Sequence, residues 1–118
     1  MEGFEVVFYR KPSGRAPMDE FLESLPPKLN AKVHRDLGSL REEAHRLREP
    51  QSKRMGNGLF ELRSRQGDDI ARSFYFFFSG RRIVVTNGFV KKTQKTPRRE
   101  LSRALAYKAD WEERFGNG

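Results

Sequence analysis

Residues 70–97 read IARSFYFFFSGRRIVVTNGFVKKTQKTP, and this stretch decides the fold class. Two runs dense in β-branched and aromatic residues, IARSFYFFF (70–78) and RRIVVTNGF (81–89), are separated by Ser79 and Gly80, the pattern of a β-hairpin. Phe74, Phe76, Phe77 and Phe78 follow one another almost without a polar break. A strand of that kind is covered on both faces, so these rings read as core, with room for one of them to stand exposed. Thr96 and Pro97 then open a helix, because the threonine oxygen can accept from a first-turn N–H and proline loses nothing at the first helical position. Leu101, Ala104, Leu105, Trp111 and Phe115 give that helix one apolar face, with Trp111 as core.

Upstream, GLFELR (58–63) supplies a further strand, and the polar, Gly- and Pro-bearing stretch REPQSKRMGNG (48–58) before it reads as an exposed loop. Leu29, Val33, Leu37, Leu40, Ala44 and Leu47 step by three and four residues, which predicts an amphipathic helix of about five turns. Pro26 and Pro27 separate it from a shorter helix carrying Met18, Phe21, Leu22 and Leu25, whose Asp19 and Glu20 suit a helix N-terminus. GFEVVFY (3–9) makes a first strand, closed by the turn KPSGR. The expected fold is α+β in the order β-α-α-β-β-β-α: a small, mainly antiparallel sheet flanked by helices. At 118 residues the chain has room for one domain, 1–118, and one core.

The charge is uneven. Net charge is +8; residues 1–47 carry 8 basic and 8 acidic side chains, whereas 48–118 carry 16 and 8. The excess positive field of the second part attracts polyanions, with phosphate backbones the usual partner. There is no cysteine, which removes disulfide frameworks and thiolate metal sites and fits a reducing cytoplasm. MEGFEVVFYRK is too short and too charged to read as a signal peptide, and no apolar run approaches a membrane span. A soluble, cytoplasmic protein is expected.

GFVKKTQKTP (88–97), following FYFFFSGRRIVV and preceding a final helix, resembles the signature of phage-derived HigB-like toxins in the RelE/ParE superfamily. The resemblance extends upstream through GLFELR and Arg72 and, weakly, through the two helices. It implies a RelE-like fold, the toxin role in a type II toxin–antitoxin system, ribosome-dependent cleavage of messenger RNA, and silencing by a helix-turn-helix, HigA-like antitoxin. Arg72 and Lys92 match the superfamily positions associated with phosphate and transition-state contact. The chain departs from the pattern at Asn87, where many relatives have His, and at Ser73, where many have an aliphatic residue.

The chemistry can also be read from the residues. RNA is cut when its 2′-OH attacks the adjacent phosphate, which requires a base, an acid and stabilisation of the phosphorane. The two histidines, His34 and His45, both fall on the predicted second helix and read as ordinary helix residues. Fixed positive charge is the other route, since guanidinium can bond two phosphate oxygens at once. Arg63 and Arg72 lie on adjacent predicted strands, and Lys91, Lys92 and Lys95 follow the last one, so the cations can converge on one groove. Arg72, Lys92, Lys95 and Arg63 are the candidate catalytic residues. Lys53, Arg54, Lys91, Arg98, Arg99 and Phe89 are the candidate RNA contacts, with Phe89 readable either as a base-stacking ring or as core. For the base, Lys92 or Lys95 with a pKa lowered by neighbouring cations, Tyr75, and Glu61 all remain open, Glu61 also reading as a salt-bridge partner of Arg63. No metal or other cofactor is indicated, because the scattered His and carboxylates lack ligand spacing. Two rival functions stand beside the nuclease: a non-catalytic RNA- or ribosome-binding inhibitor of translation, and a ParE-like toxin that targets a protein.

Overall fold

The computed structural model describes residues 3–90 and 96–116. β1 (Glu5–Phe8) leads to α1 (Pro17–Glu23) and α2 (Pro27–Glu43), which tightens into a 3₁₀ turn at Ala44–Arg46. β2 (Ser52–Gly56), β3 (Leu59–Gln66), β4 (Asp69–Phe78) and β5 (Arg82–Val90) follow, then α3 (Arg98–Phe115). The five strands form one sheet in the order β1-β5-β4-β3-β2. β1 runs parallel to β5 and every other pairing is antiparallel. The α+β fold read from the sequence stands, with one strand more than expected.

That extra strand is β2, inside the stretch read as an exposed loop. SKRMG has no alternation of apolar and polar residues, but the Asn57–Gly58 pair after it has φ of 56° and 80°. Positive φ at both central positions is what a two-residue type I′ hairpin needs, and it folds β2 back onto β3. The second helix is also shorter than predicted: α2 stops at Glu43, so Ala44 sits in the 3₁₀ turn and Leu47 beyond it.

The sheet separates two cores. On one face Leu29, Val33, Leu37 and Leu40 of α2, with Met18 and Leu22 of α1, pack on Leu62, Tyr75 and Val85. On the other face Ala104 and Trp111 of α3 cover Leu59, Phe74, Phe76 and Val84. Central β4 therefore has apolar side chains on both sides, as its unbroken sequence requires. At Gly88 of β5 the Phe21 ring of α1 packs close against the backbone. A Cβ there would lie 2.5 Å from the Phe21 ring and 2.9 Å from the Arg72 carbonyl oxygen.

Candidate functional site: a cationic pocket built around a buried carboxylate

Arg63 of β3 and Arg72 of β4 are direct cross-strand partners, so their side chains leave the same face of the sheet. Glu61, two residues before Arg63, shares that face. Glu61 is 0% exposed and Arg72 only 1%. One Glu61 oxygen accepts from Arg72 Nη1 at 3.0 Å and from Arg63 Nε at 3.1 Å. The other accepts from the Thr96 hydroxyl at 2.6 Å. The carboxylate thus bridges two arginines that would otherwise repel, offsetting one of their two charges, and it ties Thr96, just before α3, to the sheet.

This contact corrects the reading of Thr96 as a helix cap. α3 begins at Arg98 with Pro97 at its N-cap and has no side-chain cap, because the Thr96 hydroxyl donates to Glu61 instead. It also resolves Glu61 as the salt-bridge partner of Arg63, with both oxygens occupied.

Beside this cluster lies a pocket of about 400 Å³ whose walls include Arg63, Arg65, Arg72, Lys32, Asp36 and Gln51. It forms where β2 begins. The Gln51 carbonyl accepts from the Arg63 N–H at 2.8 Å, and beyond that rung β3 has no strand partner on this side among the described residues, where Lys32 and Asp36 of α2, paired at 2.9 Å, line the pocket with it. Arg63, Arg65, Arg72 and Lys32 stand here against two carboxylates, Asp36 in the wall and Glu61 behind it, so the local charge is positive and suits anionic oxygen. Lys32, Asp36, Gln51 and Arg65 escaped the sequence reading. Lys32 and Asp36 carry a weak signal, an opposite-charge pair four residues apart on the polar side of a predicted helix.

The other expected site residues divide. Lys53 is the cross-strand partner of Glu61 and so faces the same side as Arg63. Arg54, its neighbour, pairs with Phe60 and lies over that ring at 5.7 Å on the opposite face; alternation parts two cations that were expected to flank one groove. Arg98 and Arg99 are exposed in the first turn of α3. Phe89 is 8% exposed and packs at 5.8 Å from Phe74, so it belongs to the core and offers no face for stacking. Lys91, Lys92 and Lys95 lie outside the described residues. The residues on either side of that segment both adjoin the cluster, Val90 through its pairing with Ala71 and Thr96 through Glu61.

Among the candidate bases, Tyr75 points away from Arg72, its hydroxyl sharing a 2.6 Å hydrogen bond with Ser52. Burial pushes that hydroxyl above its ordinary pKa, outweighing the lowering by Ser52. His34 is exposed on α2, and His45 sits in the 3₁₀ turn beside Phe4. Neither histidine lines the cationic pocket. Asn87, which stands where the resemblance led histidine to be expected, is buried and accepts from the Thr86 hydroxyl at 2.8 Å. No described helix is long and apolar enough to cross a membrane.

The model of the family described as "Phage derived protein Gp49-like (DUF891)" matches residues 20–108, a span that contains every residue named in the pocket wall. No curated protein matches the chain. Membership of that family is compatible with the toxin role in a toxin–antitoxin pair. With three quarters of its length matched, the chain belongs to the phage-derived Gp49-like family, within the RelE/ParE-like toxin superfamily.

Proposed function

We propose that this chain is the toxin of a type II toxin–antitoxin pair, an endoribonuclease that cuts messenger RNA on the ribosome and so halts translation. The observation that carries the reading is the cationic pocket, in which Arg63, Arg65 and Lys32 surround a floor containing the carboxylate-braced Arg72. In the reaction the 2′-oxygen bonds to phosphorus, the bond from phosphorus to the 5′-oxygen breaks, and a 2′,3′-cyclic phosphate is left. The 2′-hydroxyl loses its proton and the departing 5′-oxygen gains one. Fixed guanidinium groups aimed at the phosphate oxygens stabilise the doubly charged phosphorane more than the singly charged substrate, which is what lowers the barrier. Lys92 and Lys95 are the groups assigned to proton transfer and phosphate contact, and Lys53, Lys91, Arg98 and Arg99 to the surrounding backbone. The partners are messenger RNA, the ribosome and a helix-turn-helix antitoxin, in the cytoplasm.

A second reading, inhibition by occupancy without cleavage, is favoured by one feature of the described residues. Glu61 has both oxygens engaged, Asp36 is paired with Lys32 and Tyr75 lies on the far face. The deciding experiment adds purified protein to a translation extract with a defined message and maps new RNA ends, beside Arg63→Ala and Lys92→Ala. Discrete ribosome-dependent cuts, reduced at least roughly tenfold in each variant, are expected, since a charge-assisted contact made in the transition state is worth about 1.5–3 kcal/mol. Arrested translation with intact message would establish the occupancy inhibitor, and undisturbed translation would point to a protein target.

A further inference from the structure

On the opposite face of the sheet lies a second cavity, of about 480 Å³, with an aromatic floor. α2 ends at Glu43 and the chain tightens into the 3₁₀ turn, so the helix layer stops short and leaves this end of the sheet uncovered. Phe60, Tyr75 and Phe77 form the floor. Phe60 stacks on Tyr75 at 5.4 Å and 18°, and Phe77 stands edge-on to both, at 86° to Phe60 and 78° to Tyr75. Phe77 is 39% exposed, whereas its neighbours Phe74 and Phe76 on β4 are fully buried. Arg48 and Arg54 stand at the rim against one carboxylate, Glu49, and Arg54 already lies over the Phe60 ring.

We propose that this cavity holds an unpaired nucleobase of the same RNA strand whose phosphate enters the cationic pocket. The proposal rests on the RNA-cleaving reading above and adds a base-binding subsite to it. An exposed ring bordered by arginine, as Phe77 is here, is what single-stranded nucleic acid uses, the ring offering a stacking face to any base and the guanidinium a phosphate contact or a second stacking surface. The two cavities are also contiguous along the chain. Pro50 and Gln51 line the cationic pocket, while Arg48, Ser52 and Arg54 line the aromatic one. From Gln51 to Arg54 an extended strand covers roughly 10 Å, so a short stretch of single-stranded RNA crossing the β2 edge reaches both. An apolar protein segment is the other conceivable occupant, but the arginine rim in a chain of net charge +8 favours the polyanion.

The test uses a single-stranded oligoribonucleotide with 2′-O-methyl groups, which cannot supply the attacking hydroxyl, carrying 2-aminopurine as a stacking reporter. Its affinity is measured for the wild type, Phe77→Ala, Arg54→Ala and Arg65→Ala, and again with an abasic version of the same strand. Phe77→Ala is expected to weaken binding of the base-bearing strand about 5- to 150-fold and to relieve quenching of the reporter, with no effect on the abasic strand. Arg54→Ala, an exposed position, weakens the base-bearing strand in the same sense. Arg65→Ala weakens both strands alike. Equal affinity of Phe77→Ala and wild type for the base-bearing strand would overturn the subsite and give the cavity to a protein segment; a surviving effect of Arg65→Ala would then leave the phosphate pocket standing. A wild type that binds neither strand would overturn both readings.

Discussion

Replacing Glu61 by Ala leaves the Arg72 guanidinium 1% exposed and without the carboxylate that accepts its Nη1 proton. Breaking a buried ion pair by removing one partner costs about 3–5 kcal/mol, because the remaining charge keeps its desolvation penalty and loses the compensation that this partner supplied. The Thr96 hydroxyl also loses its acceptor, adding about 1 kcal/mol, while Arg63, partly exposed, recovers hydration. A domain of 118 residues has a total stability of roughly 6–18 kcal/mol, so the substitution removes a large share of it. Glu61→Gln keeps the shape and an acceptor but not the charge, and is expected to cost about 2–3 kcal/mol. Removing both charges by Glu61→Leu with Arg72→Met is expected to cost far less than the sum of the two single changes, with a coupling of about 2–4 kcal/mol. Urea unfolding followed by circular dichroism reads these values, provided the m-value stays constant. Additive single and double costs would refute the account of the pair as one coupled unit. The double variant then separates architecture from chemistry: folded but unable to cut, it gives the Glu61–Arg72 unit a part in the reaction, directly or through the Arg63 that Glu61 holds, whereas cleavage at the wild-type rate would confine both residues to bracing the sheet.

Two further outcomes follow from the packing. Gly88→Ala drives a Cβ to within 2.9 Å of the Arg72 carbonyl and 2.5 Å of the Phe21 ring, and is expected to lower stability by about 1–3 kcal/mol in the same urea assay; an unchanged midpoint would mean that α1 sits more loosely on β5 than described. The Tyr9 hydroxyl, donating to Asp110 at 2.6 Å, has its pKa pushed up to about 12, first by burial and then by that bond and the Asp110 charge. Because the folded-state pKa lies above the unfolded value of about 10, the stabilisation is complete below pH 10 and is lost as pH rises from about 10 to 12. Tyr75, raised by burial, titrates in the same direction. Tyr9→Phe is therefore expected to flatten the alkaline fall in unfolding free energy, and equal slopes for the two proteins would contradict it.

The hairpin of β4 and β5 and the helix after it could be read from the sequence because their signals are local and mutually consistent: unbroken apolar runs, a Gly-bearing turn, and an apolar helical face that begins shortly after Pro97. β2 escaped because edge strands carry charge and lack alternation, and its one clear mark, Asn57–Gly58, lay in a stretch whose composition suggested a loop. That Arg63 and Arg72 lie on neighbouring strands was legible; that they stand directly opposite depends on the register, with Gln66 paired to Asp69 across the turn. The separation of Lys53 from Arg54 is equally a matter of alternation, but it needs β2 to be recognised as a strand first. What no local pattern shows is that α2 meets the β3 edge beyond Leu62, the tertiary approach that brings Lys32 and Asp36 to the pocket. Nor does the sequence distinguish Phe77 from Phe76, since exposure depends on where the helix layer over the sheet ends.

The architecture of the cluster bears on why a phosphate-binding site would bury a carboxylate. Like charges placed directly opposite on neighbouring strands destabilise a sheet, and Arg63 and Arg72 are such a pair. Flexible surface cations would avoid the repulsion by moving apart, and would then have to be ordered at each encounter with the anion. Glu61, bonded to both arginines and to Thr96, holds the two cations in place before any ligand arrives, so the ordering is done in the folding step and not in the reaction. Such pre-set dipoles and charges need no reorganisation when negative charge develops. The same carboxylate lowers the net positive charge of the pocket, but Lys32 and Arg65 stand beside it and keep the field in favour of an anion. Glu61 acts in this arrangement as a positioning residue: it exchanges no proton in the proposed reaction, and its influence on a bound phosphate passes through the arginines it fixes.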